Sequence, residues 1–415
     1  MIIRPAKRTE TVQEYYFSKK LKEIAAMNSE RASRGDRQVI NLGIGSPDGM
    51  PPMDAVEALC KSAVASGNHA YQSYVGLSEL RKAFSDWYSR WYGVALDPKT
   101  EIQPLVGSKE AILLISLAFL DKGDKVLVPD PGYPTYSSAS RLVEAEIVTY
   151  DLKEENGWQP DFDALENMDL SGVKIMWTNY PNMPTGAPAT EELYRKLVEF
   201  GSRHGILICN DNPYSFILND KPISILAQPG AKDCCLELNS LSKAHNMAGW
   251  RIGMVASDSQ VIAEILKVKS QMDSGMFKPL QLAAVEALKQ GPEWFEALNA
   301  EYSRRRVLAG EIFNLLGVEY DRNSTGMFLW GKVNPDKLPA YFLSVSDFGP
   351  DCGGPSIGQR LSDRVLYDAG VFITPGFIFG RNGEEYIRIS LCAKPETLQE
   401  AYQRILGSGT QLTEG

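Results

Sequence analysis

A lysine and an arginine lie eight residues apart in the stretch NSLSKAHNMAGWRIG, residues 239–253. Lys243 and Arg251 have small and apolar neighbours, whereas a solvated basic patch would carry more charge and a buried core segment less. A lysine at the edge of an apolar cleft, near another cation, has a lowered pKa, so its free amine can form a Schiff base. Arg251 offers a permanent charge to a phosphate, with Ser240 and Ser242 as hydroxyl donors. Two surface cations on a turn would be the simpler explanation, but the apolar neighbours fit it poorly.

A second candidate site lies at the start of an apolar helix predicted within LVGSKEAILLISLAF. Ser108 follows Gly107 and is a suitable N-cap, which leaves the next backbone N–H groups unpaired and pointing outward. Such groups bind phosphate. A capped helix with no ligand is the simpler explanation, and this stretch alone favours it.

Polar side chains also follow two predicted strands. Asp211 and Tyr214 end the run ILICNDNPY, and Tyr133 lies in the turn DPGYPTY. An aspartate at a strand end usually caps a turn, but it can instead face a protonated heterocyclic nitrogen, with the tyrosine hydroxyl donating nearby. Tyr133 is suited either to packing or to stacking on a ligand ring.

The elements that must position these residues alternate between strand and helix from about residue 100 to 290. Short apolar runs are KVLVPD, KIMWTNYP, GILICND and CCLELNS, and helical stretches such as TEELYRKLVEFGSRHG lie between some of them. The pattern predicts an α/β fold, a three-layer large domain with a mainly parallel sheet covered by helices. Ligands bind beyond the carboxyl ends of the strands in such sheets, where the candidate residues lie.

The pattern changes after about residue 295. A long charged helix, PEWFEALNAEYSRRRVLAGEIFNLLG, precedes the strands GMFLWGKV and YIRISLC, which predicts a smaller α+β domain. We expect residues 1–45 to form an N-terminal arm and helix that join this small domain, 46–295 the large domain and 296–415 the small one. Residues 11–34 are predicted to be helical, and residues 334–357, rich in Pro, Gly and Ser, to form a long loop.

Composition excludes several classes of protein. The chain has 415 residues, 44% of them hydrophobic and 23% charged, as in a soluble globular protein. Its formal net charge of -9 argues against a general nucleic-acid or anionic-membrane surface. The start, MIIRPAKRTE, has no apolar signal core, and the longest apolar run, residues 111–120, is too short to span a membrane. We therefore expect a cytoplasmic protein.

The six cysteines contain no CxxC pair, and the three histidines show no metal-ligand spacing. The thiols are therefore expected to be reduced and the protein to hold no metal.

Together these stretches resemble the class I and II aminotransferases, the aspartate-aminotransferase-like enzymes of fold type I that use pyridoxal 5′-phosphate. SLSKAHNMAGWRIG is similar to the family signature S-x-S-K-x(7)-R-x-G. The resemblance covers most of the chain in the family's order, through NLGIGSPD, YQSYVGLSELRKAF, VGSKEAI, DPGYPTY, NYPNMPTGAP, NDNPYSF, the lysine motif and YIRISLC. It implies transfer of an amino group between an α-amino acid and a 2-oxo acid.

The resemblance also implies roles for single residues. Lys243 forms the Schiff base and carries the proton, Asp211 pairs with the pyridinium nitrogen, and Tyr214 donates to the ring phenolate oxygen. Tyr133 stacks on the ring. The phosphate is held by the amides of Ser108 and Lys109 together with Ser240, Ser242 and Arg251.

Two further roles concern the substrate and a second subunit. In YIRISLC, strand alternation places Arg388 on the face opposite Ile387, where an arginine is often simply solvated. The resemblance implies that Arg388 grips the substrate α-carboxylate, helped by the Gly45 backbone. Tyr71 matches the tyrosine that reaches the phosphate of the neighbouring subunit, which implies a homodimer with a shared active site. Composition alone would favour a core tyrosine.

The sequence departs from the family at one position. The family usually has Asn directly before Pro in NNPTG, and that Asn donates to the phenolate oxygen. Here Met183 stands in that place and Asn182 precedes it. Asn182 is therefore the candidate replacement.

The residues leave two other classes of function open. A β-elimination (carbon–sulfur) lyase or a decarboxylase would share the scaffold and the first steps. A cofactor-sensing, non-enzymatic regulator would need a DNA-binding segment, for which residues 1–38 are too few.

Overall fold

The computed structural model describes residues 3–339 and 354–411. Its strands, in chain order, are β1 (Ile40–Asn41), β2 (Ile102–Leu105), β3 (Lys125–Asp130), β4 (Glu146–Asp151), β5 (Val173–Thr178), β6 (Leu207–Asp211), β7 (Cys235–Ser240), β8 (Gly253–Ala256), β9 (Val318–Tyr320), β10 (Phe328–Val333), β11 (Val371–Phe372), β12 (Thr374–Pro375) and β13 (Tyr386–Ser390). Its α-helices are α1 (Lys7–Glu10), α2 (Tyr16–Arg34), α3 (Met53–Ala63), α4 (Ser78–Tyr92), α5 (Ser108–Phe119), α6 (Pro134–Leu142), α7 (Phe162–Glu166), α8 (Glu191–His204), α9 (Ala231–Cys234), α10 (Ser259–Lys269), α11 (Lys278–Ala287), α12 (Pro292–Leu315), α13 (Ile357–Ala369) and α14 (Pro395–Gln411).

A seven-stranded sheet in the order β2-β8-β7-β6-β5-β3-β4 forms the centre of the fold. All pairs are parallel except those that β8 makes with β2 and β7. Alternate residues of β3 enter two different hydrophobic clusters, Leu127 in one and Val126 with Val128 in the other. Because side chains alternate across a strand, this places a core on each face of the sheet, as the predicted three-layer α/β arrangement requires.

A second sheet of four antiparallel strands, in the order β12-β13-β10-β9, lies in the C-terminal part of the chain. Helices α12 and α13 pack against it, and α14 packs against these two helices. The N-terminal segment joins this part because β1 pairs in parallel with β11, and Ile24 of α2 packs against Leu366 and Phe372. The backbone that follows β1 is thereby held beside β12 and β13.

The predicted elements agree with the structure at most strand ends and differ at some helix starts. The helix expected over residues 11–34 begins at Tyr16 and ends at Arg34. The N-cap of α5 is Gly107, with φ +75°, and Ser108 is the first helical residue instead of the cap. Of the predicted loop 334–357, residues 340–353 lie outside the described part.

Among the helices of residues 3–339 and 354–411, none combines the length and the apolar character needed to cross a bilayer. Within the same residues, no three His, Cys, Asp or Glu side chains converge as metal ligands would.

Candidate active site

A cavity of about 530 Å³ lies where the carboxyl ends of the parallel strands meet the N-terminal segment and the C-terminal sheet. Most of the residues proposed from the sequence line it. They are Gly45, Ser108, Lys109, Tyr133, Asp211, Tyr214, Ser240, Ser242, Lys243, Arg251 and Arg388. The structure therefore brings together side chains that are separated by up to 343 positions in NLGIGSPD and YIRISLC.

Lys243 follows β7 and points across the cavity, where its Nζ donates to the carbonyl oxygen of Gly45 over 2.6 Å. Burial lowers the pKa of Lys243, and the guanidinium groups of Arg388 and Arg251 lower it further. A Cβ at Gly45 would lie 2.2 Å from Cζ of Phe328, so only glycine allows the backbone to lie this close to the Phe328 ring. The lysine is thus a partly desolvated amine suited to forming a Schiff base.

Asp211 is the last residue of β6 and is 7% exposed. Its Oδ2 accepts a hydrogen bond from the Tyr136 hydroxyl over 3.0 Å, whereas its Oδ1 is buried without a partner among the described residues. Burial raises the pKa of Asp211 to about 7. An orphaned buried carboxylate oxygen is costly, and a protonated ring nitrogen would supply the donor that it needs.

Two tyrosines complete the walls around Asp211. Tyr214 is buried and meets the ring of Phe328 edge-on, and burial raises the pKa of Tyr214, so its hydroxyl keeps its proton and can donate. Tyr133 is the N-cap residue of α6 and presents its ring to the cavity. Lys109 places its Nζ 5.8 Å from the centroid of that ring.

An anion site lies at the N-terminus of the twelve-residue helix α5. The hydroxyl groups of Ser240 and Ser242 are 2.8 Å apart, and Nη1 of Arg251 is 3.4 Å from the Ser242 hydroxyl. A Cβ at Gly107 would lie 2.1 Å from Nη2 of Arg251, so glycine allows the guanidinium to approach the helix end. Unpaired N–H groups, two hydroxyls and a guanidinium form a set of donors that fits a phosphate.

Arg388 lies on β13 with 3% of its surface exposed, so the face opposite Ile387 is buried here. Its Nη2 donates to the carbonyl oxygen of Gly43 over 2.7 Å, and its guanidinium carbon is 3.9 Å from the Phe328 ring centroid. No carboxylate of the described residues pairs with it. A buried cation without a counter-ion is unfavourable unless a ligand supplies the anion, so this is a site for a carboxylate.

Two predicted residues do not line this cavity. Asn182 donates its amide to the carbonyl oxygen of Asn179, and its own oxygen accepts from the backbone N–H and hydroxyl of Thr185. The side chain therefore stabilises the turn and does not replace the missing donor at Met183, which itself lines the cavity. Tyr71 is 90% exposed and lies outside the cavity of its own chain.

The sequence did not single out several residues that shape the site. Tyr136, three residues after Tyr133 in DPGYPTY, holds Asp211 and stacks on Trp177 with an interplanar angle of 3°. Asn179 contacts the backbone of Asp211 through its amide. Tyr15 and Phe17 reach the cavity from the N-terminal segment. Tyr136 lies in the motif DPGYPTY and Asn179 in NYPNMPTGAP, whereas no local sequence pattern indicates Tyr15 and Phe17.

The donors and acceptors described above fit pyridoxal 5′-phosphate. The unpaired Asp211 oxygen suits its ring nitrogen, Lys243 its aldehyde carbon and the α5 terminus its phosphate. The aromatic ring of Tyr133 offers a stacking surface between these points.

Comparison with known proteins points to the same group. Residues 37–405 match the family model described as aminotransferase class I and II. An LL-diaminopimelate aminotransferase of Aquifex aeolicus is 40% identical over 400 residues, 96% of this chain and 97% of the relative. One of Dehalococcoides mccartyi is 38% identical over 408 residues, 98% of this chain and 99% of the relative. The solved substrate-bound structure of BacF from Bacillus subtilis has a TM-score of 0.86 and 32% identity, covering 98% of both chains.

Proposed function

The chain belongs to the class I and II aminotransferases, a family that uses pyridoxal 5′-phosphate, and from this premise we propose its residue roles and its substrate. It transfers an amino group between an α-amino acid and a 2-oxo acid. The relatives' names favour this reaction over the lyase and decarboxylase alternatives. The domain limits near residues 45 and 295, and the cytoplasmic location, stay predictions.

The proposal rests on the convergence of Lys243, Asp211 and Arg388 in one cavity. Among the described residues, one oxygen of Asp211 has no hydrogen-bond partner and Arg388 has no carboxylate partner. The bound cofactor supplies an electron-accepting ring that withdraws electron density from the substrate α-carbon. Lys243 would hold the cofactor through its free amine, with the aldehyde oxygen leaving as water, and would then move a proton at the substrate α-carbon. Asp211 would keep the ring nitrogen protonated, Tyr214 would donate to the ring oxygen, and Arg388 would orient the substrate through its α-carboxylate.

We infer that the amino donor is LL-diaminopimelate, since the relatives that share 38–40% of the sequence carry this substrate in their names. The far end of that molecule has a second carboxylate. Lys109 offers a second cation at the cavity, and within the described residues it forms no ion pair. Its Nζ lies 4.6 Å from the Tyr15 ring centroid, which holds it at the N-terminal side of the cavity.

A second donor class, aromatic amino acids, is favoured by the aromatic lining of the cavity. Tyr15, Phe17, Tyr133, Phe328 and Phe379 all face it, and such rings pack well against a phenyl side chain. The test is a panel of donors with 2-oxoglutarate as acceptor, comparing kcat/KM for LL-diaminopimelate, phenylalanine, aspartate and cysteine. Diaminopimelate at the top supports the first proposal, and phenylalanine the second. Pyruvate and ammonia released from cysteine without an acceptor would instead support the lyase.

We also infer a homodimer in which Tyr71 contributes to the partner's site. Tyr71 is 90% exposed. Tyr74 in the same segment, and Met272 and Phe277 in the segment around Gly275, are also exposed apolar or aromatic side chains. The backbone of Gln72 approaches Gly275, so the two segments form one surface. An exposed apolar patch of this kind marks an interaction surface. Light scattering after gel filtration should give twice the chain mass, and a monomer would contradict the inference.

A further inference from the structure

The sulfur atom of Met183 lies 3.2 Å from Nη1 of Arg388. Both side chains are buried, at 6% and 3% exposure, and both line the active-site cavity. A thioether is a weak hydrogen-bond acceptor and has no proton to donate. The residue that replaces the family's asparagine therefore contacts the arginine on β13, 205 positions away.

The surroundings of Arg388 hold its guanidinium plane in place. Phe328 and Phe379 stack on it, with ring centroids 3.9 and 4.7 Å from its guanidinium carbon. Gly43 accepts from Nη2, Met183 accepts from Nη1, and Nε has no partner among the described residues. Of the five guanidinium N–H groups, these two contacts use only two, so the others stay available for a ligand.

We propose that Met183 is a positioning residue for substrate binding, because its sulfur fixes the Nη1 end of Arg388 while leaving the remaining N–H groups to a carboxylate. The sulfur offers no donor of its own, so of these two side chains only Arg388 can donate to the carboxylate. This inference rests on the carboxylate-binding role proposed for Arg388. It predicts that position 183 controls the affinity for the amino acid and the 2-oxo acid and has little effect on kcat.

The first test is Met183→Leu, which keeps an apolar side chain of similar volume and removes the acceptor. We expect KM for both substrates to rise about three- to tenfold, the range for losing a weak hydrogen bond, with kcat within about twofold. Met183→Asn should restore or lower KM, since an amide oxygen is a stronger acceptor. The matched control is Met176→Leu, which should leave KM unchanged. Met176 is a fully buried methionine of β5 that lies outside the cavity.

The second readout is binding without turnover, measured by calorimetry on the cofactor-loaded enzyme. The probe is glutarate, which has the carbon skeleton of 2-oxoglutarate without its reactive oxo group. Met183→Leu should weaken its Kd about three- to tenfold, whereas Met183→Asn should bind at least as tightly as the wild type.

These measurements distinguish the role of Arg388 from the role of Met183. Glutarate binding that is unaffected by Arg388→Lys would overturn the role of Arg388 itself. Binding that depends on Arg388 but is equal in wild type and Met183→Leu would overturn only the role of Met183, as would a loss confined to kcat. If Met183→Leu does not fold, weaker glutarate binding by Met183→Asn would overturn it equally.

Discussion

The Tyr136 hydroxyl donates a hydrogen bond to one oxygen of Asp211 over 3.0 Å, and the other oxygen is buried without a partner in the part of the chain that the structure describes. Because Tyr136 is itself fixed by stacking on Trp177, the carboxylate is held in one orientation before any ligand binds. Its other oxygen is thereby positioned to accept a hydrogen bond from a ring nitrogen.

The raised pKa of Asp211, about 7 against an ordinary 3.8, predicts a pH dependence of stability. Between these values the folded protein keeps a proton that the unfolded chain releases, so this stabilisation is present below about pH 4 and is lost as the pH rises through 7. The cofactor-free wild type should therefore lose thermal stability relative to Asp211→Asn over this interval, by on the order of a few kcal/mol. The measurement is the difference in Tm between the two proteins across the interval. A constant difference would show that Asp211 titrates normally.

Lys243 should carry the cofactor. Purified loaded protein should absorb visible light, and borohydride should fix the cofactor covalently on Lys243, where peptide mapping detects it. Lys243→Ala should still bind cofactor through the phosphate and ring contacts but lose turnover by several orders of magnitude, since the nucleophile and the proton carrier are removed together. Label on Lys109, the other lysine of the cavity, would contradict the assignment.

Arg388→Lys should weaken kcat/KM for amino acids by roughly 2–4 kcal/mol, because an ammonium cannot reproduce the two parallel hydrogen bonds of a guanidinium. Amines without an α-carboxylate should be affected far less. Steady-state kinetics with a matched amine and amino acid measure this difference. Equal losses for both would mean that Arg388 supports the fold and does not bind substrate.

Tyr71→Ala and Lys243→Ala, each inactive alone, should recover part of the activity when unfolded and refolded together. In a mixed dimer with a shared site, one of the two sites then has both wild-type residues. The exposed position of Tyr71 on its own chain motivates the experiment. No recovery in a mixture shown to contain mixed dimers would mean that Tyr71 serves only its own subunit.

Met183→Asn should lower the pKa at which the bound cofactor changes colour, by about one unit. An amide can donate to the ring oxygen and favour its charged form, which neither a thioether nor the engaged amide of Asn182 can do. A spectrophotometric pH titration of wild type, Met183→Asn and Met183→Leu measures it, and the Leu variant should match the wild type. A pKa that stays constant or rises in the Asn variant would show that another group already donates.

The predictable parts of the site are those encoded in short segments. Strand runs that end in polar residues located Asp211, and the lysine motif located Lys243 and Arg251, because parallel strands bring their carboxyl ends to one edge. The α/β class followed from the same alternation.

The unpredictable parts depend on chain paths between distant segments. Alternation assigned Arg388 to the face opposite Ile387 but did not show that Phe328 and Phe379 cover that face. Sequence adjacency suggested Asn182 as a substitute donor, whereas Thr185 engages its oxygen in a local turn, a common role for asparagine.

The backbone that follows β1 contacts both Lys243 and Arg388. The carbonyl of Gly43 accepts from Arg388 and that of Gly45 accepts from Lys243, and Thr374 also donates to Gly43. The three residues from Gly43 to Gly45 thus set the distance between the amine of Lys243 and the guanidinium of Arg388. Because the main chain makes these contacts, substitutions of the surrounding side chains can change which substrates bind. The distance between the Lys243 amine and the Arg388 guanidinium stays the same. The substrate preference of such a site can therefore change while its reacting geometry does not.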